Sequence, residues 1–138
     1  MSPPTRLDAV VRLREVDEDR ARNKMAEAQR LALATQAAVR EAAARALADE
    51  RRRGSVEDGS LIESAHVRAL QDARQAEMNK IMAEQKLDQT RKHFVGARTR
   101  AEAMRRVRES RLSELRATER LGELKQMDEV ATMLYGRR

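Results

Sequence analysis

Arg53-Gly54-Ser55-Val56-Glu57-Asp58-Gly59-Ser60-Leu61-Ile62-Glu63 is the stretch on which the fold turns. Glycines stand at both ends of Gly54–Gly59, and Ser60-Leu61-Ile62-Glu63 then has the form of a capping box. On the N-terminal side, Arg6 to Arg53 contains neither Gly nor Pro. On the C-terminal side, Leu61 to Tyr135 contains only Gly96 and Gly122. Each costs about 1 kcal/mol relative to Ala without ending a long helix. Pro3 and Pro4 precede a second capping signature, Thr5-Arg6-Leu7-Asp8, and Gly136 stands where a helix C′ residue belongs. The reading is a helix over 6–53, a hinge at 54–60 and a helix over 61–135, together one coiled-coil domain over 1–138.

The first helix would run roughly 70 Å and the second roughly 110 Å at the α-helical rise. Helices of this kind need a partner in water, and a short hinge makes the two antiparallel neighbours. The expected fold class is therefore all-α, a long antiparallel two-helix coiled-coil hairpin with the second helix longer and overhanging. Folding about the hinge sets Leu7 near Arg106, so roughly the last thirty residues lack an intrachain partner.

Composition agrees with this outline. Ala, Glu, Lys, Leu and Arg make up 80 of the 138 residues, the balance of a coiled coil. Because 23 of the hydrophobic residues are Ala, only 33 bulky apolar side chains remain to fill a core. That is too little for a compact enzyme with a deep pocket, and the scarcity of Gly and Pro argues against disorder. No Cys is present, which excludes disulfides and zinc–thiolate sites. Met1–Arg6 carries no apolar stretch of signal length, and no window approaches a membrane span. A cytoplasmic protein without a transmembrane segment is expected.

The seams are uneven. On the first helix the 4–3 series Leu7, Val11, Arg14, Glu18, Ala21, Met25, Ala28, Ala32, Thr35, Val39, Ala42, Ala46 is mostly apolar. The second carries Ile62, Ala69, Ala76 and Ala83 at sevens, with Ala65 and Met82 nearby, and His66, Leu70, Ala73, Leu87 and Phe94 in the same register. Alanine seams permit close approach but bury little area. The chain ends differ from the middle. Leu7, Val10, Val11, Leu13 and Val16 spread over a wide arc, as do Leu121, Leu124, Met127, Val130, Met133, Leu134 and Tyr135. A two-stranded seam needs only a narrow stripe, so arcs this broad point to a docking surface at the terminal pole.

Signatures of catalysis are missing. His66 and His93 lie about 40 Å apart on one helix, and nothing supplies metal ligands at suitable spacing. No phosphate loop, nucleophile elbow or zinc helix motif occurs. No enzyme activity and no cofactor are expected. Charge is more informative: Arg91, Lys92, Arg98, Arg100, Arg105, Arg106, Arg108 and Arg111 face only Glu102 and Glu109 across 91–111, which accounts for the whole formal charge of +6. An electrostatic contact through Arg98, Arg100, Arg105, Arg106, Arg108 and Arg111 with an acidic protein surface follows. Nucleic acid is the lesser reading, because no aromatics interleave the basic residues for base stacking.

The opening run Arg6-Leu7-Asp8-Ala9-Val10-Val11-Arg12-Leu13-Arg14-Glu15-Val16-Asp17-Glu18, with Met25-Ala26-Glu27-Ala28, resembles the flagellar FliJ family. The closing run Glu119-Arg120-Leu121-Gly122-Glu123-Leu124-Lys125-Gln126-Met127-Asp128-Glu129-Val130-Ala131 is similar to that family's C-terminal run. The resemblance covers nearly the whole chain in length and layout. It implies a non-enzymatic component of the flagellar type III export apparatus, used in flagellum biogenesis and motility. The stalk-like coiled coil would couple the export ATPase ring to the membrane export gate and escort export substrates or their chaperones. It would work in the cytoplasm, peripherally at the inner membrane. ATPase docking would fall to Leu7, Val10, Val11 and Leu13, and to Leu121, Leu124, Met127 and Leu134. The chain departs from the family in its aromatics: Thr5 and Arg6 precede Leu7, and Phe94 and Tyr135 are the only two. Gate-contacting residues therefore do not carry over, and Phe94 reads as core. The stalk protein of a virulence type III system is the alternative within this class, and a basic nucleic-acid-associated coiled coil the alternative from another.

Overall fold

A computed structural model describes residues 6–53 and 59–136. Helix α1 spans Arg6–Arg53 and helix α2 spans Gly59–Tyr135, and no strand occurs among the described residues. Thr5 and residues 54–58 of the expected hinge lie outside the described residues, as do the side chains of Ser60 and Ile62. Helix α2 starts at Gly59, two residues before the expected Leu61. At the far end the Gly136 N–H donates to the Thr132 carbonyl at 2.7 Å, which closes the last turn. A Cβ at Gly136 would meet that same carbonyl oxygen at 2.7 Å, so the missing side chain is what lets the turn close.

The chain divides into two compact units. In the first, the start of α1, through Asp17, pairs with α2 from Ala97 onward. Asp8 faces Arg108 and Glu15 faces Arg105, so numbers rise on one helix as they fall on the other. In the second, α1 from Glu18 pairs with α2 up to Gly96. There Arg22 lies over Phe94, Leu31 shares a crevice with Met82 and Lys86, and Asp49 shares one with Ala65 and Arg68. Both units are antiparallel helix pairs, and the fold is the all-α hairpin class expected.

The inward face of α1 is the 4–3 series read from the sequence: every one of its twelve members is buried or half-buried. On α2 the inward series is His66, Ala69, Ala73, Ala76, Lys80, Ala83, Leu87, Thr90, Phe94, Ala97, Ala101, Met104, Arg108. Its strict three–four alternation is a coiled-coil seam. Ala65, Leu70 and Met82, expected to share that seam, are exposed because they stand one step off the alternation. Among the described residues, nine of the ten buried apolar residues are alanines, the tenth being Val11. Two helices alone enclose little beyond the size of Val, so Leu7, Met25, Leu87, Phe94 and Met104 stay half-buried. Small residues fit the gap, and little apolar area is gained per layer.

Several polar seam members find partners on their own helix. Thr35 and Thr90 donate to the carbonyls of Ala32 and Leu87, three residues back, at 2.8 and 2.9 Å. Glu18, buried, accepts from Arg22 at 3.4 Å. His66 is half-buried with its Nδ1 enclosed and unpartnered, and His93 is exposed.

Candidate interaction surface

The sequence nominated eight apolar residues and six arginines for partner binding, and the structure separates them. Val11 is 1% exposed, the bulkiest side chain that the seam encloses among the described residues. Leu7 and Val10 are half-buried at its edge, and of the four N-terminal residues only Leu13 stands fully out. The C-terminal four are different: Leu121, Leu124, Met127 and Leu134 are all more than half exposed.

Pairing in the first unit explains the contrast. With Asp8 opposite Arg108, α1 ends its cover of α2 near Leu112, the last half-buried residue. Every residue from Ser113 to Gly136 is exposed. The overhang is real, and three residues shorter in register than the expected Leu7–Arg106 pairing, since Asp8 meets Arg108 and Arg22 meets Phe94. It also separates the two apolar ends: Leu121 lies about 20 Å beyond Arg108 along α2. Leu13 and the Leu121–Tyr135 face are therefore not one continuous patch. The broad surface expected at a common pole resolves into a paired segment and a bare single helix.

On that bare segment Met127, Val130, Ala131, Leu134 and Tyr135 line a shallow apolar depression bordered by Glu123 and Gln126. An exposed apolar face of this breadth is more than a two-stranded seam uses.

The arginines do not form one patch. Arg105 donates to Glu15 at 3.1 Å and Arg108 approaches Asp8 at 3.8 Å, so both tie the helices together. Arg98 pairs along its own helix with Glu102 at 3.1 Å. Arg100, Arg106 and Arg111 are exposed. At the helical repeat of about 100° per residue, Arg106 points roughly away from the seam while Arg100 and Arg111 share one side. Three of the six nominated arginines are thus paired, two of them across the helices. Antiparallel pairing arithmetic was the signal for this, since it brings Asp8 and Glu15 to the basic stretch.

In the second unit Phe94 is half-buried with the Arg22 guanidinium 5.6 Å from its ring centroid, a cation–π contact supporting the core role expected of it. Asp17 and Asp19, neighbours of Glu18, pair with Arg14 at 3.9 Å and Arg22 at 3.4 Å, as solvated helix carboxylates do. Among the described residues no group of three metal-ligating side chains assembles, and no helix is long and apolar enough to cross a membrane.

No curated protein and no solved structure matches the chain significantly. A family model does: the one described as Flagellar FliJ protein matches residues 2–138. With that match running the whole length of a two-helix chain, the protein belongs to the FliJ family and is a flagellar export component.

Proposed function

We propose that this chain is the stalk of the export apparatus, a non-enzymatic coiled coil that docks into the export ATPase ring and couples it to the membrane export gate. The observation carrying this reading is the overhang: a single helix, exposed from Ser113 to Gly136, that bears Leu121, Leu124, Met127 and Leu134. Those four make the principal docking contact, and Leu13, with Leu7 and Val10 at the seam edge, makes a second one further along. Val11 supports that second contact from inside the seam. Arg100, Arg106 and Arg111 are the cations available to an acidic ring or gate surface. Escort of export substrates or their chaperones uses the remaining exposed length, and the site of action is the cytoplasmic face of the inner membrane.

The test is Leu121→Asp combined with Leu124→Asp. Both side chains are exposed in the free protein, so the helical circular dichroism signal stays unchanged. Co-purification with the export ATPase is lost. Retained ATPase binding would remove the docking assignment.

A further inference from the structure

The ion pairs of the first unit have a second set of partners within reach. Glu15 accepts from Arg105 at 3.1 Å, and Arg98 stands seven residues before Arg105 on nearly the same face of α2. Asp8 likewise stands seven residues before Glu15 on α1. Moving α1 by one heptad toward the start of α2 therefore hands Glu15 to Arg98 and Asp8 to Arg105. Arg98 is meanwhile held by Glu102 of its own helix at 3.1 Å, an exposed pair that is easily exchanged. The opposite slide keeps one pair, Glu15 with Arg108, but sets Asp8 beside Glu119 and Arg14 in one layer with Arg108.

The seam accepts the same step. With Asp8 at Arg108, Arg14 stands opposite Ala101 in the first unit. With Arg22 over Phe94, Ala28 stands opposite Leu87 and Val39 opposite Ala76 in the second. One heptad on, Leu7 would meet Ala101 and Val11 would meet Ala97. In the second unit Ala21 would meet Leu87, Met25 would meet Ala83 and Val39 would meet Ala69. Each new layer again joins a bulky side chain to an alanine, a combination that fills the space between closely packed helices. Helices with two such fits move past each other in discrete steps.

We propose that the hairpin has two registers one heptad apart: the one described, and a less populated one that pairs Asp8 with Arg105 and Glu15 with Arg98. The described register is favoured by the Asp8–Arg108 pair and the Arg22–Phe94 contact, both lost on sliding. The slide moves the end of α1's cover on α2 from near Leu112 to near Arg105. That adds one heptad, about 10 Å, to the bare length of α2. Helix α1 thus acts as a sleeve that covers or exposes this length, whichever protein the overhang docks to.

The chain has no Cys, so engineered pairs in the full chain report register directly. A disulfide joins Cα atoms no more than about 7 Å apart, less than the roughly 10 Å of one heptad, so each pair reads one register. A32C/A83C reads the described register, A32C/A76C the slid one, and A32C/T90C a slide in the opposite direction. Circular dichroism of the reduced proteins checks that all three stay helical. A42C/A73C, A42C/H66C and A42C/K80C repeat the comparison if one of them does not fold. Under mild oxidation A32C/A83C should close fastest. A32C/A76C should close about tenfold faster than A32C/T90C, whose register brings like charges together. Adding Arg98→Gln should slow A32C/A76C closure about threefold, and adding Arg108→Gln should quicken it about threefold. A32C/A76C closing no faster than A32C/T90C would overturn the slide in favour of undirected local opening. Closure that ignores both arginine substitutions would overturn the handover of ion pairs on which the second register is built. No readout involves the export ATPase, so the docking assignment stands or falls separately.

Discussion

Single positions show how narrow the tolerance of this seam is. Ala101 is fully enclosed, with 0% of its surface exposed, in a layer built for a methyl group. Ala101→Leu forces extra carbons between two backbones and should destabilise the protein by about 1–3 kcal/mol in urea unfolding. Gly122 gives the opposite case. Its Cβ site is open space and it sits inside a helix, so Gly122→Ala should stabilise the overhang by up to about 1 kcal/mol. Slower amide exchange around that position is the readout, with the paired region unaffected. The sequence already marked both as Ala and Gly on helices. What it did not show was that one is enclosed and the other bare.

At the scale of elements, the two helices owe their pairing to shape more than to charge. The cross-helix ion pairs Glu15–Arg105 and Asp8–Arg108 involve side chains about a third or more exposed. Such pairs contribute at most about 1 kcal/mol each and are screened by salt. A double-mutant cycle with Glu15→Ala and Arg105→Ala should give a coupling below about 1 kcal/mol that shrinks further at high salt. Their larger effect is on register, since an alanine seam offers few distinct knobs to resist slipping by a heptad. The α1 seam was legible from its 4–3 spacing alone because its polar interruptions are few. The α2 seam was only partly legible: Lys80, Thr90 and Arg108 belong to it, while the more apolar Leu70 and Met82 do not. Hydrophobicity misled there. A seam of small residues admits long polar side chains at its edges, where their stems pack and their heads reach water.

For the molecule, the sharpest division is between paired and unpaired length of α2. A chain ending at Leu112 should keep its thermal midpoint, because Ser113–Gly136 is exposed throughout and supports none of the seam. A marked fall in that midpoint would show that the overhang packs on the rest. In the full chain, amides beyond Ser113 should exchange fastest among the helical residues, since only helix propensity protects them. Among the described residues the two helices, their lengths and the membership of α1's seam were all set by the sequence, because breakers and hydrophobic spacing act over a few residues. The tertiary structure decided what those local signals leave open. It chose which residues of α2 face α1, tied Arg105 and Arg108 to α1, enclosed Val11, and left Leu124–Leu134 on a face that α1 does not cover. Burial depends on which partner arrives on which side, and a helix's own periodicity can offer more than one face to be covered.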